Sequence, residues 1–142
     1  SASRMGANRG FVKTILGRKC RFNLYEPFDR RELPLPLEKA MDEYGGRLKR
    51  AYTYKAMNRL IQGSAADMTK KAMLDLYNEG IVAHTQVHDE LNISVETKQD
   101  CEKVIQIMRD CVELKVPNKV DAEIGTSWGE VTHYEDYFNE KN

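Results

Sequence analysis

The stretch Ile81-Val82-Ala83-His84-Thr85-Gln86-Val87-His88-Asp89-Glu90-Leu91-Asn92-Ile93-Ser94-Val95 decides how this chain is read. Residues 81–87 form a strand candidate. Leu91, Ile93 and Val95 then alternate with Asn92, Ser94 and Glu96, the period of a strand with one buried face. Only His88-Asp89-Glu90 separates the two runs, a connection short enough for an antiparallel hairpin. Adjacent carboxylates at such a tip repel one another unless solvent or a cation relieves them. Asp89 and Glu90 are thus either a solvated turn or a pair of oxygen ligands projecting past the sheet edge toward a hard divalent cation. His84 and His88 do not make a zinc site, because in a strand they stand about 13 Å apart.

Working outward, Thr97 caps a helix whose apolar stripe is Cys101, Val104, Ile105, Met108, Cys111 and Val112, ending before Pro117. Val120, Ala122 and Ile124 alternate with Lys119, Asp121 and Glu123, which predicts another strand with one wet face. From Trp128 the tail is acidic and aromatic. Upstream of the hairpin, Ser64-x-x-Asp67 reads as a capping box opening a helix through Ala65, Met68, Ala72, Met73, Leu76 and Tyr77, closed by Gly80 as an αL cap. Leu37 to about Ile61 also reads as helix, broken at Gly45-Gly46. Pro27, Pro34 and Pro36 mark a stretch that is not regular throughout. Residues 10–15 and 19–24 flank Leu16-Gly17-Arg18 as a further hairpin. The chain opens Ser-Ala-Ser-Arg rather than with Met, so residues 1–9 are taken as a tag or disordered lead-in. Together these elements predict an α+β fold: an antiparallel sheet backed by helices.

With 142 residues, the chain is one domain of ordinary size. Its 41% hydrophobic and 31% charged residues exclude a disordered tail, and no run approaches the roughly 20 apolar residues of a membrane span. Lys and Arg total 22 against 22 Asp and Glu, which argues against holding nucleic acid by bulk charge alone. The charges are segregated, however. Residues 47–59 hold Arg47, Lys49, Arg50, Lys55 and Arg59 with no acid, while Glu130, Glu135, Asp136 and Glu140 lie in a stretch without a cation. Cys20, Cys101 and Cys111 are odd in number and scattered, as in a cytoplasmic protein with reduced thiols.

Tyr54, Asn58 and Gln62 follow at i,i+4 spacing, with Lys55 and Arg59 on the adjacent ridge. Such a face is either ordinary exposed polarity or a surface for duplex: amides reach minor-groove base edges while cations meet phosphate. In Gln62-Gly63-Ser64-Ala65-Ala66-Asp67, the small residues permit close backbone approach, and Asp67 reads as a cap.

Taken in order, the Gly-Phe-Val-x-Thr-x-x-Gly-Arg hairpin at 10–18, Asn58-x-x-x-Gln62-Gly63-Ser64-Ala65-Ala66-Asp67, Gln-Val-His-Asp-Glu-Leu at 86–91 and Val116-Pro117 resemble the C-terminal part of family A DNA polymerases. The likeness covers roughly residues 10–130, with 131–142 as an acidic tail. It implies the C-terminal half of a polymerase palm with the adjoining end of the fingers, and template-directed nucleotidyl transfer from dNTP to a primer 3′-hydroxyl by two Mg²⁺ ions. By resemblance, Asp89 is one of two metal-holding aspartates, Glu90 supports the metal site, and His88 lies near the primer terminus. Asn58 and Gln62 match duplex-contacting positions, and Arg18 a position facing the DNA backbone. Tyr54 stands where many members carry Arg, so Lys55 or Arg59 takes over the electrostatic contact. No second aspartate motif, fingers helix, thumb or exonuclease is found in the sequence. The chain is therefore expected to bind Mg²⁺ weakly and to be inactive alone. It reads as a fragment or as one piece of a split enzyme, working with primer–template DNA, dNTP and the remaining polymerase portion, in the cytoplasm of a bacterial cell or phage-infected host and with no membrane. The alternative is a polymerase-derived interaction module without chemistry; a metal-dependent nuclease ranks behind both.

Overall fold

The computed structural model describes residues 1–139, so Glu140 of the acidic tail lies outside the described residues. The chain divides into two compact units, Ser1–Asp67 and Met68 onward.

In the first unit α1 (Ala2–Arg9) leads into β1 (Phe11–Lys13), which pairs antiparallel with β2 (Lys19–Arg21) in the register Val12↔Cys20. The hairpin expected around Gly17 therefore forms. The expected lead-in is instead a helix: Ala2 and Gly6 are buried, and a Cβ on Gly6 would stand 3.1 Å from the Phe22 ring. Gly10 ends this helix at φ 76°, where its missing side chain leaves room for the Arg50 guanidinium. Ala2, Val12, Phe22 and Ala56 form the core of this unit, with Cys20, Tyr52 and Leu60 packed against it.

The proline-marked stretch supplies β3 (Leu24–Pro27) and β4 (Leu35–Pro36), followed by α2 (Leu37–Tyr44) and β5 (Leu48–Arg50). The three strands form an antiparallel sheet in the order β4-β3-β5. Residues 47–50 thus depart from the helix expected there. Their cross-strand partners decide it: Lys49 faces Glu26 with an ion pair at 3.7 Å, and Arg50 faces Tyr25 with its guanidinium 5.0 Å from the ring centre.

After a 3-10 turn (Thr53–Lys55), α3 (Ala56–Asn78) runs unbroken through Ser64 and Asp67 and continues into the second unit. The expected capping box is therefore absent, because both side chains are already committed. Ser64 Oγ donates to Leu60 O at 2.7 Å, one turn back along the helix, and accepts the Ile15 N–H at 3.0 Å. Asp67 is 5% exposed and takes the Arg18 side chain.

In the second unit Gly80 closes α3 at φ 78°. Ile81 N–H donates to Leu76 O and Gly80 N–H to Tyr77 O, the paired bonds of a Schellman cap. This use of Ile81 shortens the expected strand to β6 (Thr85–Val87), which pairs with β7 (Glu90–Asn92). Thr97 caps α4 (Lys98–Asp110) as predicted, with a reciprocal Thr97–Asp100 box, and Cys101 on its stripe is buried. The last strand begins later than expected. β8 (Glu123–Ser127) pairs with β9 (Glu130–His133), and α5 (Tyr134–Asn139) follows. The register shifts between Gly125 and Ser127, where a Cβ on Gly125 would fall on the Glu130 carbonyl oxygen. Leu76 is fully buried in this unit.

The class is α+β, but the strands of the described residues are shared among four small antiparallel sheets rather than gathered in one. Among the described residues no helix is long and apolar enough to cross a membrane.

Candidate functional site

Local geometry builds the carboxylate turn. Val87 pairs with Glu90, so the hairpin tip is the two residues His88 and Asp89. His88 takes φ 54° at the first of these positions, a left-handed conformation that usually selects glycine and is costly for other side chains. Gln86 Nε2 donates to the His88 carbonyl at 2.5 Å. Around the tip, His84 N–H donates to Asn92 O at 2.8 Å, its Nε2 sits 2.9 Å from Ser94 Oγ, and Asn92 Nδ2 donates to Thr85 Oγ1 at 2.9 Å. His88, Asp89 and Glu90 are all exposed. Asp89 and Glu90 offer hard oxygen donors of the kind Mg²⁺ takes. Magnesium commonly uses one or two protein carboxylates and completes its shell with water and phosphate. Among the described residues no three His, Cys, Asp or Glu side chains gather closely enough to hold a metal by themselves. The turn therefore fits part of a magnesium site, not a whole one.

The first unit holds the other candidates. Asn58 and Gln62 lie one turn apart on α3, and Tyr54, Lys55, Asn58, Arg59 and Gln62 are all exposed. Tyr54 belongs to the 3-10 turn, so the continuous three-residue helical ridge reduces to Asn58 and Gln62. Lys55 Nζ stands 5.0 Å from the Tyr52 ring centre and 5.7 Å from that of Tyr54. Tyr52 holds φ 59°, so both described non-glycine residues of positive φ, Tyr52 and His88, adjoin candidate site residues. Arg59 lies 4.8 Å over Phe22 and donates to Arg21 O at 3.1 Å, which partly commits its guanidinium to the β1–β2 hairpin.

Arg18, expected to face the DNA backbone, is anchored within its own unit. Its Nε donates to Asp67 Oδ1 at 2.8 Å and its Nη2 to Gly63 O at 2.9 Å. Gly63 is what lets the hairpin approach, since a Cβ there would meet Thr14 Cγ2 at 2.8 Å. Burial alone would raise the pKa of Asp67. The Thr14 hydroxyl and the Arg18 guanidinium, joined by the Leu16 amide, outweigh it and hold the carboxyl below its ordinary 3.8. A carboxyl lowered on folding stabilises the fold above its unfolded value and loses that contribution as pH falls through the folded value. Asp67→Asn should thus unfold more easily than wild type at neutral pH. The gap should narrow as pH drops below 3.8, read by denaturant titration across that range.

The charge segregation follows the two units. Residues 1–67 hold 14 Lys and Arg against 7 Asp and Glu, while residues 68–142 hold 8 against 15, so +7 and −7 cancel in the total. The candidate DNA-facing residues lie on the cationic unit and the carboxylate turn on the acidic one.

Against known proteins, a family model described as DNA polymerase family A matches residues 2–130. The DNA-directed DNA polymerase of Pseudomonas phage M6 is 39% identical over 120 residues, covering 84% of this chain and 15% of that protein. DNA polymerase theta of Drosophila melanogaster is 36% identical over 141 residues, covering 87% of this chain and 6% of that protein. The POL domain of Pol1 from M. smegmatis, solved in complex with DNA primer–template and dNTP, superposes with a TM-score of 0.55 at 26% identity, covering 82% of this chain and 19% of that one. The chain thus spans less than a fifth of the length of each of these proteins.

Proposed function

The chain belongs to DNA polymerase family A, and from that premise we propose that it contributes part of the active site and part of the duplex-holding surface of a DNA-directed DNA polymerase. Template-directed transfer of a nucleotide from dNTP to a primer 3′-hydroxyl is the reaction. The observation that carries the proposal is the exposed His88-Asp89 tip with Glu90 beside it, lying inside the segment that matches the family.

Asp89 is the metal ligand in this reading, Glu90 supports the same site, and His88 stands near the primer terminus. Bound there, Mg²⁺ supplies activation of the 3′-hydroxyl and neutralisation of the triphosphate charge. Asp89 lies beyond the last strand pair, Val87↔Glu90, and is exposed, so it is accessible to a ligand. Asn58 and Gln62 hold the primer–template duplex by neutral hydrogen bonds, and Lys55, Arg59 and Tyr54 flank them. Two carboxylates are an incomplete donor set for a two-metal site, so the remaining portion of the polymerase, in the same or a separate chain, completes it. The cytoplasm of a bacterial cell or phage-infected host is where such an assembly works.

The test uses the chain as it stands, with labelled primer–template, dNTPs and Mg²⁺. Binding without extension is expected. Extension by the isolated chain would contradict the division of the site, and absence of any DNA affinity would contradict the duplex-holding surface.

A further inference from the structure

The β1–β2 hairpin carries cations that have no ion-pair partner among the described residues. Val12 is buried and Cys20, directly opposite, is half-buried, so this pair faces inward. Strand alternation puts the pairs Phe11↔Arg21 and Lys13↔Lys19 on the other face. Two lysines directly opposite in an antiparallel ladder repel each other. Lys13, Lys19 and Arg21 are exposed, and among the described residues none of the three has an ion-pair partner. Lys19 Nζ rests 4.8 Å from the centre of the Phe11 ring, which shares that face. Arg18, at the turn of the same hairpin, is the opposite case. Its Nε and Nη2 are committed to Asp67 and Gly63 O, beside the bond from Ile15 N–H to Ser64 Oγ. Three attachments, to residues 63, 64 and 67, thus seat the turn on α3 directly after Gln62.

We propose that the outward face of this hairpin, through Lys13, Lys19 and Arg21, binds the phosphate backbone of duplex DNA, and that Arg18 is a positioning residue that locks this face beside the Asn58–Gln62 ridge rather than a phosphate contact itself. The inference rests on the duplex-holding reading above and sharpens it. A repulsive lysine pair is retained at a rigid site because a polyanion relieves it, and the lock keeps the pair aimed. Asp67 serves through Arg18 in the same way.

Salt dependence separates contact from support, because each phosphate neutralised on duplex DNA adds about 0.9 to the slope of log affinity against log salt. Affinity of the full chain for a fluorescent primer–template is measured over about 50–200 mM KCl, with folding of each variant checked by circular dichroism. Lys13→Gln and Lys19→Gln are each expected to weaken binding and to lower the slope by about 0.9. Arg18→Gln and Asp67→Asn are expected to weaken binding by similar factors with the slope unchanged, and the double variant to be no worse than either single one. Arg18→Lys keeps the charge but cannot span Asp67 Oδ1 and Gly63 O, so it should not rescue. A slope lowered by Arg18→Gln and restored by Arg18→Lys would overturn the positioning role. Unchanged slopes in both lysine variants would overturn the hairpin contact alone, whereas no salt-dependent DNA binding by the wild-type chain would overturn the duplex-holding reading together with it.

Discussion

Asp89→Ala, in a Pseudomonas phage M6 polymerase whose matching segment is replaced by that of this chain, is expected to lower single-turnover primer extension by about a thousandfold. The estimate follows from the chemistry of the tip. A carboxylate holding a catalytic divalent ion contributes several kcal/mol to charge stabilisation in the transition state. At about 1.4 kcal/mol per factor of ten, roughly 4 kcal/mol corresponds to that loss. The loss falls on the chemical step. Affinity for primer–template should hold or tighten slightly, since removing an acid does not weaken binding to a polyanion. Asp89→Asn keeps the shape of the side chain but not its charge, and should be nearly as severe. Glu90→Gln should cost less, as the change of a supporting group. An Asp89→Asn enzyme with full activity would make the turn dispensable and favour a binding module without chemistry.

The second large effect concerns duplex. Asn58→Ala combined with Gln62→Ala is expected to weaken primer–template binding by about 5- to 150-fold, from the loss of two sets of neutral hydrogen bonds at about 0.5–1.5 kcal/mol each. The salt slope should stay constant because neither amide carries charge. Both residues are exposed on an uninterrupted helix, so thermal stability should barely move. Lys55→Gln should instead lower the slope. An unchanged Kd in the double variant would reduce the ridge to ordinary surface polarity.

Much of this architecture was legible in the residues because its determinants are local. Thr97 with Asp100 three positions on, Gly80 after the last apolar helix position, and Gly17 between two short strands each act within a few residues. The structure has a cap, an αL terminus and a hairpin at those places. The carboxylate turn was legible for the same reason, since the alternation on one side and the short connection set it. What escaped was set at a distance. Leu48–Arg50 is strand because β3 lies beside it, and nothing within the segment records Glu26 and Tyr25 as partners. Ser64 and Asp67 carry the spacing of a cap, but their partners Ile15 and Arg18 are 49 residues away, and those bonds turn an expected helix start into the middle of α3. The anchoring of Arg18 to Asp67 and Gly63 escaped for the same reason. The cationic face formed by Lys13, Lys19 and Arg21 appears only once the hairpin register is known.

If this chain provides a working portion of a family A polymerase active site, the unmodified phage chimera should extend a primer. Magnesium-dependent extension at a rate comparable to the parent enzyme is the predicted result. A chimera that folds and binds primer–template but adds no nucleotide would contradict it.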